Sequence, residues 1–251
     1  MPEKIHSVSV IMPTLNEAGN IADLITCTVD VIKATGIPCV EILVVDDDSP
    51  DRTWEIASRV SYPNVDVRVI RRQSDHGLTN SLRDGIAASK QEVIVWLDCD
   101  FSHPPERIPQ MLFMLEQGFD IAVNSRFTIG GGEVREGKGS LLQTALSRIL
   151  NWGVRFLLYP SFSDYTSGFV AVRRQVFEKV RLRGDYGEYF VDFIFHALRA
   201  HYRVCELPYW AAPRRSGESK TGATFRQYWR RGRKYLWTVL RLRLDVLRGG
   251  I

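Results

Sequence analysis

The sequence predicts an α/β protein with a mostly parallel β-sheet, helices on both faces of that sheet, and a basic amphipathic helix at the C-terminal end. Apolar runs rich in valine and isoleucine alternate with stretches of helical period, which is the pattern of repeated βαβ units. The 251 residues are 45% hydrophobic and 25% charged. This composition fits one sizeable core and excludes disordered and collagen-like classes.

The predicted strands are short apolar runs, as expected for strands covered on both faces. The first five are VSVIM at 8–12, VEILVV at 40–45, VDVRVI at 65–70, VIVWL at 93–97 and DIAVN at 120–124. Further along the chain, SGFVAVR and RVCELPY predict two more strands, with a helix over 186–200 between them.

Helix boundaries follow from the residues that interrupt the pattern. A first helix begins after Asn16 and Glu17 and stops at Gly36. The stretch PPERIPQMLFMLEQG starts with proline and ends on Gly118, as helices prefer. Residues 126–142 have a loop-like composition, and an amphipathic helix follows them.

The C-terminal segment carries most of the positive charge. Residues 224–251 contain eight Lys or Arg and one acid, a net charge of +7, so the other 223 residues of this +4 chain carry −3. A basic end on a mildly acidic body favours a polyanionic neighbour, either a membrane surface or a nucleic acid. The nucleic-acid alternative is weaker because the chain has no recognised binding motif.

No linker divides the chain, so we predict one domain over 1–222 and a basic helix over 223–251. Six apolar residues of that helix are expected on one stripe: Phe225, Trp229, Leu236, Val239, Leu240 and Leu247. Trp237 is the expected interfacial anchor. Two arrangements stay open: the helix lies in a membrane interface, or it packs on its own domain with a solvated basic face.

The location follows from what the sequence lacks. No window approaches the ~18 uncharged apolar residues of a spanning helix, and the N-terminal segment has no apolar signal region. The four cysteines show no Cys-x-x-Cys spacing. We therefore expect a cytoplasmic chain that is peripheral on the cytoplasmic face of a membrane, with ILNWGVRFLLY (149–159) as a second lipid-side element and a membrane-protein partner as an option.

Polar residues follow three of the predicted strands. These clusters are PTLNE at 13–17, DDDSPD at 46–51 and DCDFSHPP at 98–105. In open α/β sheets, ligands bind outside the carboxyl ends of the strands, so the clusters are expected to share one site. Asp98 and Asp100, one residue apart, could both approach a cation such as Mg²⁺ or Mn²⁺ that is shared with substrate phosphates. The alternative for an isolated Asp-x-Asp is a solvated turn.

Taken with VNSRF, SGFVAVRR and RRSGESKTG, these motifs resemble glycosyltransferase family 2, and within it the dolichol- or polyprenol-phosphate mannose synthase group. The resemblance runs in order over about residues 8–222. It implies a GT-A fold, a nucleotide-sugar donor, a divalent metal (Mg²⁺ or Mn²⁺) and inversion at the anomeric carbon.

The same resemblance implies roles for individual residues. The nucleoside pocket would be lined by Pro13, Leu15, Glu17, Val44 and Asp46. The pyrophosphate and metal would lie near Asp98, Cys99 and Asp100, with Asp98 and Asp100 as the metal ligands. The cations that hold phosphate would be Arg126, Arg214 and Lys220. The expected reaction moves a hexose, foremost mannose from GDP-mannose, to a polyprenyl or dolichyl phosphate.

A phosphate acceptor is already ionised near neutral pH, so it needs no general base. The rival within the family is transfer from another nucleotide sugar to a saccharide or small-molecule hydroxyl, which would need one. The candidates for that base are Glu188 and Asp192, four residues apart on a predicted helix. A solvated helix edge or a structural ion pair is the favoured interpretation of this pair.

Two further features carry less weight. Gly132, Gly137 and Lys138 match the spacing of a phosphate-binding loop, but Gly139 stands where that motif needs Ser or Thr. A mobile lid over the donor is the better hypothesis for this segment. His103 adjoins the aspartates, but carboxylate sites for hard cations rarely recruit imidazole, so it is not expected to be a metal ligand.

Overall fold

The computed structural model describes residues 3–134, 140–215 and 225–247. Side chains of 140–146 and 225–231 lie outside the described set. The strands are β1 Ser7–Thr14, β2 Cys39–Asp46, β3 Val65–Arg71, β4 Val93–Trp96, β5 Ile121–Ser125, β6 Gly132–Glu133, β7 Val170–Arg173, β8 Val204–Pro208 and β9 Trp210–Ala211. The helices are α1 Ile21–Lys33, α2 Thr53–Ser58, α3 Leu78–Ala88, α4 Ile108–Glu116, α5 Ser140–Leu157, α6 Glu188–Arg199 and α7 Phe225–Leu247.

Seven strands form one sheet in the order β3-β2-β1-β4-β7-β5-β8. All neighbouring pairs are parallel except those of β7, which runs antiparallel to both β4 and β5. The mostly parallel sheet predicted from the sequence is therefore confirmed. Because β7 runs the other way, the residues just before it lie at the edge where β4 and β5 end.

Two apolar cores lie on opposite faces of the sheet. One contains α1 and α4, packed on alternate residues of β1, β2 and β4. The other contains residues of α3, α5, α6 and α7. In β2, every residue after the first is buried, as expected for a strand that is covered on both faces.

A separate two-stranded ribbon pairs β6 with β9 in parallel register, Gly132 opposite Trp210 and Glu133 opposite Ala211. This ribbon joins the chain that leaves β5 to the chain that leaves β8. A side chain at Gly132 has no room, since a Cβ there would lie 2.8 Å from the Trp210 ring.

The C-terminal helix α7 packs mainly on α6 and buries Tyr235, Thr238, Val239 and Leu242. The apolar stripe predicted for this helix is therefore wrong in one respect. Val239 is buried at 3% exposure, whereas Leu236, Leu240 and Leu247 face solvent at 54%, 46% and 73%. This difference in exposure follows from the α6 surface, which the sequence of α7 does not contain. The boundary predicted at 222 lies outside the described residues.

Candidate active site

The three polar clusters meet at the carboxyl edge of β1, β2 and β4, as the sequence predicted. Asp46, at the end of β2, is fully buried and accepts hydrogen bonds from the Thr14 hydroxyl (2.8 Å) and from the Ser49 amide and hydroxyl (2.8 and 2.6 Å). The buried Cys99 thiol donates to the Pro13 carbonyl at 3.4 Å. These bonds connect neighbouring strand ends into one rim.

The loops at this rim hold unusual backbone conformations. Asn16, Asp48 and Phe101, one in each cluster, have φ of 54°, 55° and 63°. Non-glycine residues rarely adopt this left-handed region, and such strain concentrates at functional sites. In the first loop, Asn16 N donates a hydrogen bond to the Ser49 hydroxyl at 3.0 Å, which helps to hold this backbone conformation.

The other residues expected in the nucleoside pocket differ in exposure. Leu15 is 39% exposed at the rim, and Pro13 is half-buried. Glu17 is buried and accepts a 2.8 Å hydrogen bond from the Asn20 side-chain amide. Val44 is completely buried in the core, so contact with a ligand would require the core to open.

Asp98 and Asp100 lie side by side but have different surroundings. Asp98 is half-buried, and none of the residues that the structure describes forms an ion pair with it. Asp100 is 2% exposed and is paired with Arg214, whose Nη1 lies 2.8 Å from Oδ2. Its other oxygen, Oδ1, accepts from the Ser102 amide and hydroxyl at 2.9 and 2.6 Å. Burial alone would raise the pKa of Asp100, but Arg214 and Ser102 together lower it, so Asp100 is ionised.

His103 holds the backbone of the first aspartate, a role that the sequence analysis missed. Its Nδ1 accepts a hydrogen bond from Asp98 N at 2.9 Å, and its ring stacks on Phe169 with centroids 4.9 Å apart. Burial lowers the pKa of His103 although Asp98 and Asp100 act against it, so the ring is neutral and can accept at Nδ1. His103 therefore supports the site through the Asp98 backbone and also packs on Phe169.

Arg126, expected to hold phosphate, makes a two-pronged ion pair with Asp164. Its Nε and Nη2 each lie 2.9 Å from an Asp164 oxygen, and Nη2 also donates to the Thr166 hydroxyl at 2.8 Å. Burial would raise the pKa of Asp164, but Arg126 outweighs it and keeps the carboxylate ionised. The guanidinium N–H groups of Arg126 are thus turned toward the loop that carries Asp164 and Thr166. Contact of Arg126 with phosphate stays a prediction.

The loop that carries Asp164 is held from two directions. Glu206 of β8 accepts from the amides of Ser163 and Asp164 at 2.7 and 3.0 Å, and burial raises the pKa of this carboxyl. Asn151 of α5 donates to the Thr166 hydroxyl at 2.9 Å and accepts from Tyr165 N at 2.9 Å. Helix α5 is therefore anchored directly to the edge of the site.

The two candidate bases on α6 are both buried away from solvent. Asp192 is 0% exposed and forms an ion pair with Arg241 of α7. Burial raises the pKa of Asp192, although His196, Arg241 and Arg183 oppose the shift. Glu188 is 4% exposed at the first turn of α6 and accepts from Asp185 N at 3.2 Å. Of these two residues, Asp192 forms the structural ion pair that the sequence favoured.

The donor set suits a hard divalent cation that is shared with a ligand. No group of three or more acidic, His or Cys side chains gathers around one point in the ranges that the structure describes. Asp98 and Asp100 would therefore supply two oxygens, and phosphate and water would complete the shell, which is how Mg²⁺ is usually held. Asp100 already attracts a cation, the Arg214 guanidinium, which is consistent with this use.

Comparison with known proteins identifies the family. The profile described as "Glycosyl transferase family 2" matches residues 9–181. The chain belongs to glycosyltransferase family 2. The resemblance found in its motifs is therefore confirmed.

Two curated relatives of the family are similar over most of the chain. A dolichol-phosphate mannosyltransferase of Pyrococcus furiosus is 34% identical over 226 residues, which cover 89% of this chain and 62% of that protein. A polyprenol monophosphomannose synthase of Mycolicibacterium smegmatis is 35% identical over 226 residues, which cover 87% and 82%. The match thus spans less than two thirds of the Pyrococcus relative's length.

Solved structures share the fold. A crystal structure of glucosyl-3-phosphoglycerate synthase from Mycobacterium tuberculosis, with Mn²⁺, UDP and glucosyl-3-phosphoglycerate, has a TM-score of 0.68 and 18% identity and covers 94% of this chain and 80% of that one. At this identity the likeness concerns the fold alone, and it confirms the expected GT-A arrangement.

Some predicted site residues lie outside the described residues, and some site residues in the structure were not predicted from the sequence. Lys220 and Lys138, the lysine of the predicted lid, lie outside the described residues. Asp164 and Thr166 were not predicted because they precede a strand, whereas the expected site residues of a parallel sheet follow strands. The polar string SDYTSG before an apolar run was the available signal.

Proposed function

We propose that this chain transfers mannose from GDP-mannose to a polyprenyl or dolichyl phosphate at a membrane surface, with inversion at the anomeric carbon. The names of the two curated relatives support the donor sugar and the acceptor class. The structural observation that carries the proposal is the exposed apolar face of α5 and α7, because α5 is also bonded to the edge of the site.

Each of the two helices carries a group of exposed apolar side chains, seven in all, and we call the two groups together the aromatic face. They are Ile149, Trp152 and Phe156 of α5, and Leu236, Trp237, Leu240 and Leu244 of α7. Trp152 and Phe156 are 69% and 73% exposed and stack with centroids 6.1 Å apart. Large exposed apolar patches mark interaction surfaces, and aromatic residues with nearby arginines suit a membrane interface.

The position of α5 connects this face to the chemistry. Asn151, which is bonded to the loop of Asp164 and Thr166, directly precedes the exposed Trp152. A lipid phosphate whose chain stays in the membrane would therefore approach the site along α5. Basic residues at the same surface, Arg233 and Lys234 of α7, line a groove of about 670 Å³ with Trp237 and can attract anionic lipid.

The buried state of the α6 carboxylates supports a phosphate acceptor over a hydroxyl acceptor. A hydroxyl needs a base within hydrogen-bond reach, whereas Asp192 is 0% exposed and paired with Arg241. A phosphate oxygen that is already ionised can attack the anomeric carbon while the bond from that carbon to the GDP oxygen breaks. No proton has to be removed in this step.

The role of the site residues is to position and neutralise the diphosphate. Asp98 and Asp100 would hold Mg²⁺ or Mn²⁺, which supplies positive charge to the departing GDP. Arg126, Arg214 and Lys220 would add cationic charge near phosphate, and the rim at Pro13, Leu15, Glu17 and Asp46 would receive the nucleoside. Preorganised charge of this kind is usually the largest contribution to catalysis.

The location proposed is peripheral, on the cytoplasmic face of a membrane. No helix among the described residues combines the length and apolar character needed to cross a bilayer. Attachment would then depend on the aromatic face and on the basic residues of α7. A membrane-protein partner could strengthen it.

The decisive experiment incubates the protein with a panel of nucleotide sugars and a short polyprenyl phosphate, with and without chelator, and reads products by mass spectrometry. We expect mannosyl phosphoprenol from GDP-mannose, lost with chelator and in Asp100→Asn. Sugar found only on a hydroxyl acceptor would contradict the proposal. Glu188→Gln then separates the two reactions, since a phosphate acceptor predicts that this variant keeps substantial turnover.

A further inference from the structure

The chain after β9 is fastened onto the Asp-x-Asp motif by neighbouring arginines. Arg214 Nη1 lies 2.8 Å from Asp100 Oδ2, and Arg215 N donates to the Asp100 carbonyl at 3.1 Å. The Arg215 guanidinium pairs with Asp23 of α1 at 2.9 Å and lies 5.1 Å from the centre of the Phe101 ring. Arg214 is thus the arginine that reaches the carboxylate, and Arg215 secures the same segment elsewhere.

The two oxygens of Asp100 are not equivalent. Both donors of Ser102 bond to Oδ1, at 2.9 and 2.6 Å. Oδ2 is the oxygen that faces a cation, and the Arg214 guanidinium is that cation. Asp100 is 2% exposed, so there is little room for a second cation at the same oxygen. A divalent ion bound there would also repel the guanidinium at close range.

We propose that Arg214 and the divalent metal compete for Asp100 Oδ2, so that metal binding frees Arg214 to bind diphosphate. This inference rests on the proposed function, because it assumes that Asp100 is a metal ligand. Before metal arrives, the guanidinium neutralises a buried carboxylate that would otherwise be unpaired. Afterwards the same guanidinium, with its fork of N–H donors, is available to phosphate oxygens beside the metal.

Competition predicts opposite effects of one substitution on two ligands. In Arg214→Met, Mn²⁺ alone should bind more tightly because its competitor is gone. Because Arg214 makes a charge-assisted hydrogen bond and is partly exposed, its removal should raise the Mn²⁺ affinity about 5- to 20-fold. Inorganic pyrophosphate in saturating Mn²⁺ should bind about 5- to 20-fold more weakly, because the freed guanidinium is missing. A purely structural arginine would not shift the two affinities in opposite directions.

The experiment titrates the metal-free protein with Mn²⁺ and follows free Mn²⁺ by electron paramagnetic resonance, and then titrates pyrophosphate by calorimetry. Arg215→Met is the matched control, since it removes the same charge from the adjacent position without touching the Asp100 carboxylate. It should keep both affinities within about twofold of the parent protein. Asp100→Asn should lose Mn²⁺ binding, and thermal unfolding checks that each variant is folded.

Three results would overturn the proposal. They are unchanged or weaker Mn²⁺ binding in Arg214→Met, an equal gain in both arginine variants, and Mn²⁺ binding that survives Asp100→Asn. The probes contain neither base nor sugar nor lipid. A failure to mannosylate polyprenyl phosphate, with the opposite shifts present, would therefore count against the proposed function and leave the competition standing.

Discussion

Replacing Trp237 with serine should weaken binding to anionic vesicles. The residue is 70% exposed on α7 and belongs to the aromatic face. A tryptophan side chain presents up to about 250 Å² of surface, so roughly 170 Å² of Trp237 faces solvent at its 70% exposure. If an interface covers half of that area, at about 25 cal/mol per Å², the side chain contributes about 2 kcal/mol. Its loss corresponds to a roughly 30-fold weaker association.

The assay is co-sedimentation with vesicles that contain a defined fraction of anionic lipid, at several salt concentrations. Phe113→Ser is the matched control, because Phe113 is 58% exposed on α4, whose helix packs in the core on the opposite face of the sheet. We expect Trp237→Ser to shift the midpoint by more than tenfold and Phe113→Ser by less than twofold. Equal shifts in the two variants, or none in Trp237→Ser, would refute the assignment of the aromatic face to the membrane.

Three further predictions concern the site and the packing. His103→Leu removes the acceptor of the first aspartate's amide and should lower kcat about tenfold, whereas His103→Asn, which can still accept that bond, should restore most of it. Gly85→Ala should destabilise the fold by about 1–3 kcal/mol in urea unfolding, because its Cβ would lie 2.6 Å from a core methyl group, while Gly153→Ala, in open space, should stabilise it by up to about 1 kcal/mol. Arg241→Met leaves Asp192 buried without its main partner and should cost about 2 kcal/mol near neutral pH, discounted because Arg241 is 42% exposed. Since burial raises the pKa of Asp192, the folded protein takes up this proton above the ordinary Asp value of about 3.9, so the deficit should shrink as the pH falls toward that value.

The sheet and the first half of the site were predictable because their determinants are local. The β1, β2 and β4 segments are mostly apolar, and a cluster of polar residues stands at or just after the end of each. In a parallel sheet those ends must share one edge. Asp46, Asp98 and Asp100 could therefore be grouped without knowledge of any contact between them.

The second half of the site depends on strand direction, which no local pattern specifies. The sequence predicts a strand over SGFVAVR but not that it runs antiparallel. Only that reversal brings Asp164 to the carboxyl edge, where it meets Arg126 from 38 residues away. The role of His103 was hidden for a related reason, since its partner is a backbone amide rather than a side chain.

The C-terminal helix shows a third limit. Periodicity predicted an amphipathic helix but placed Val239 and Leu240 on one stripe, whereas the first is buried and the second is exposed. Which face turns inward is decided by the complementary surface of α6, including the Asp192 carboxylate that pairs with Arg241. One side of the helix packs on the domain, which is one of the two arrangements left open by the sequence, and the placement of its exposed apolar side in a membrane interface stays a prediction.

The small parallel ribbon of β6 and β9 has a consequence for protein engineering. A side chain at Gly132 would collide with the ring of Trp210. The chain leaving β5 and the chain leaving β8 are therefore matched to each other. A chimera that borrows one of these segments from a relative with a different acceptor would seat a foreign backbone against an unaltered indole. The two segments should therefore be exchanged together.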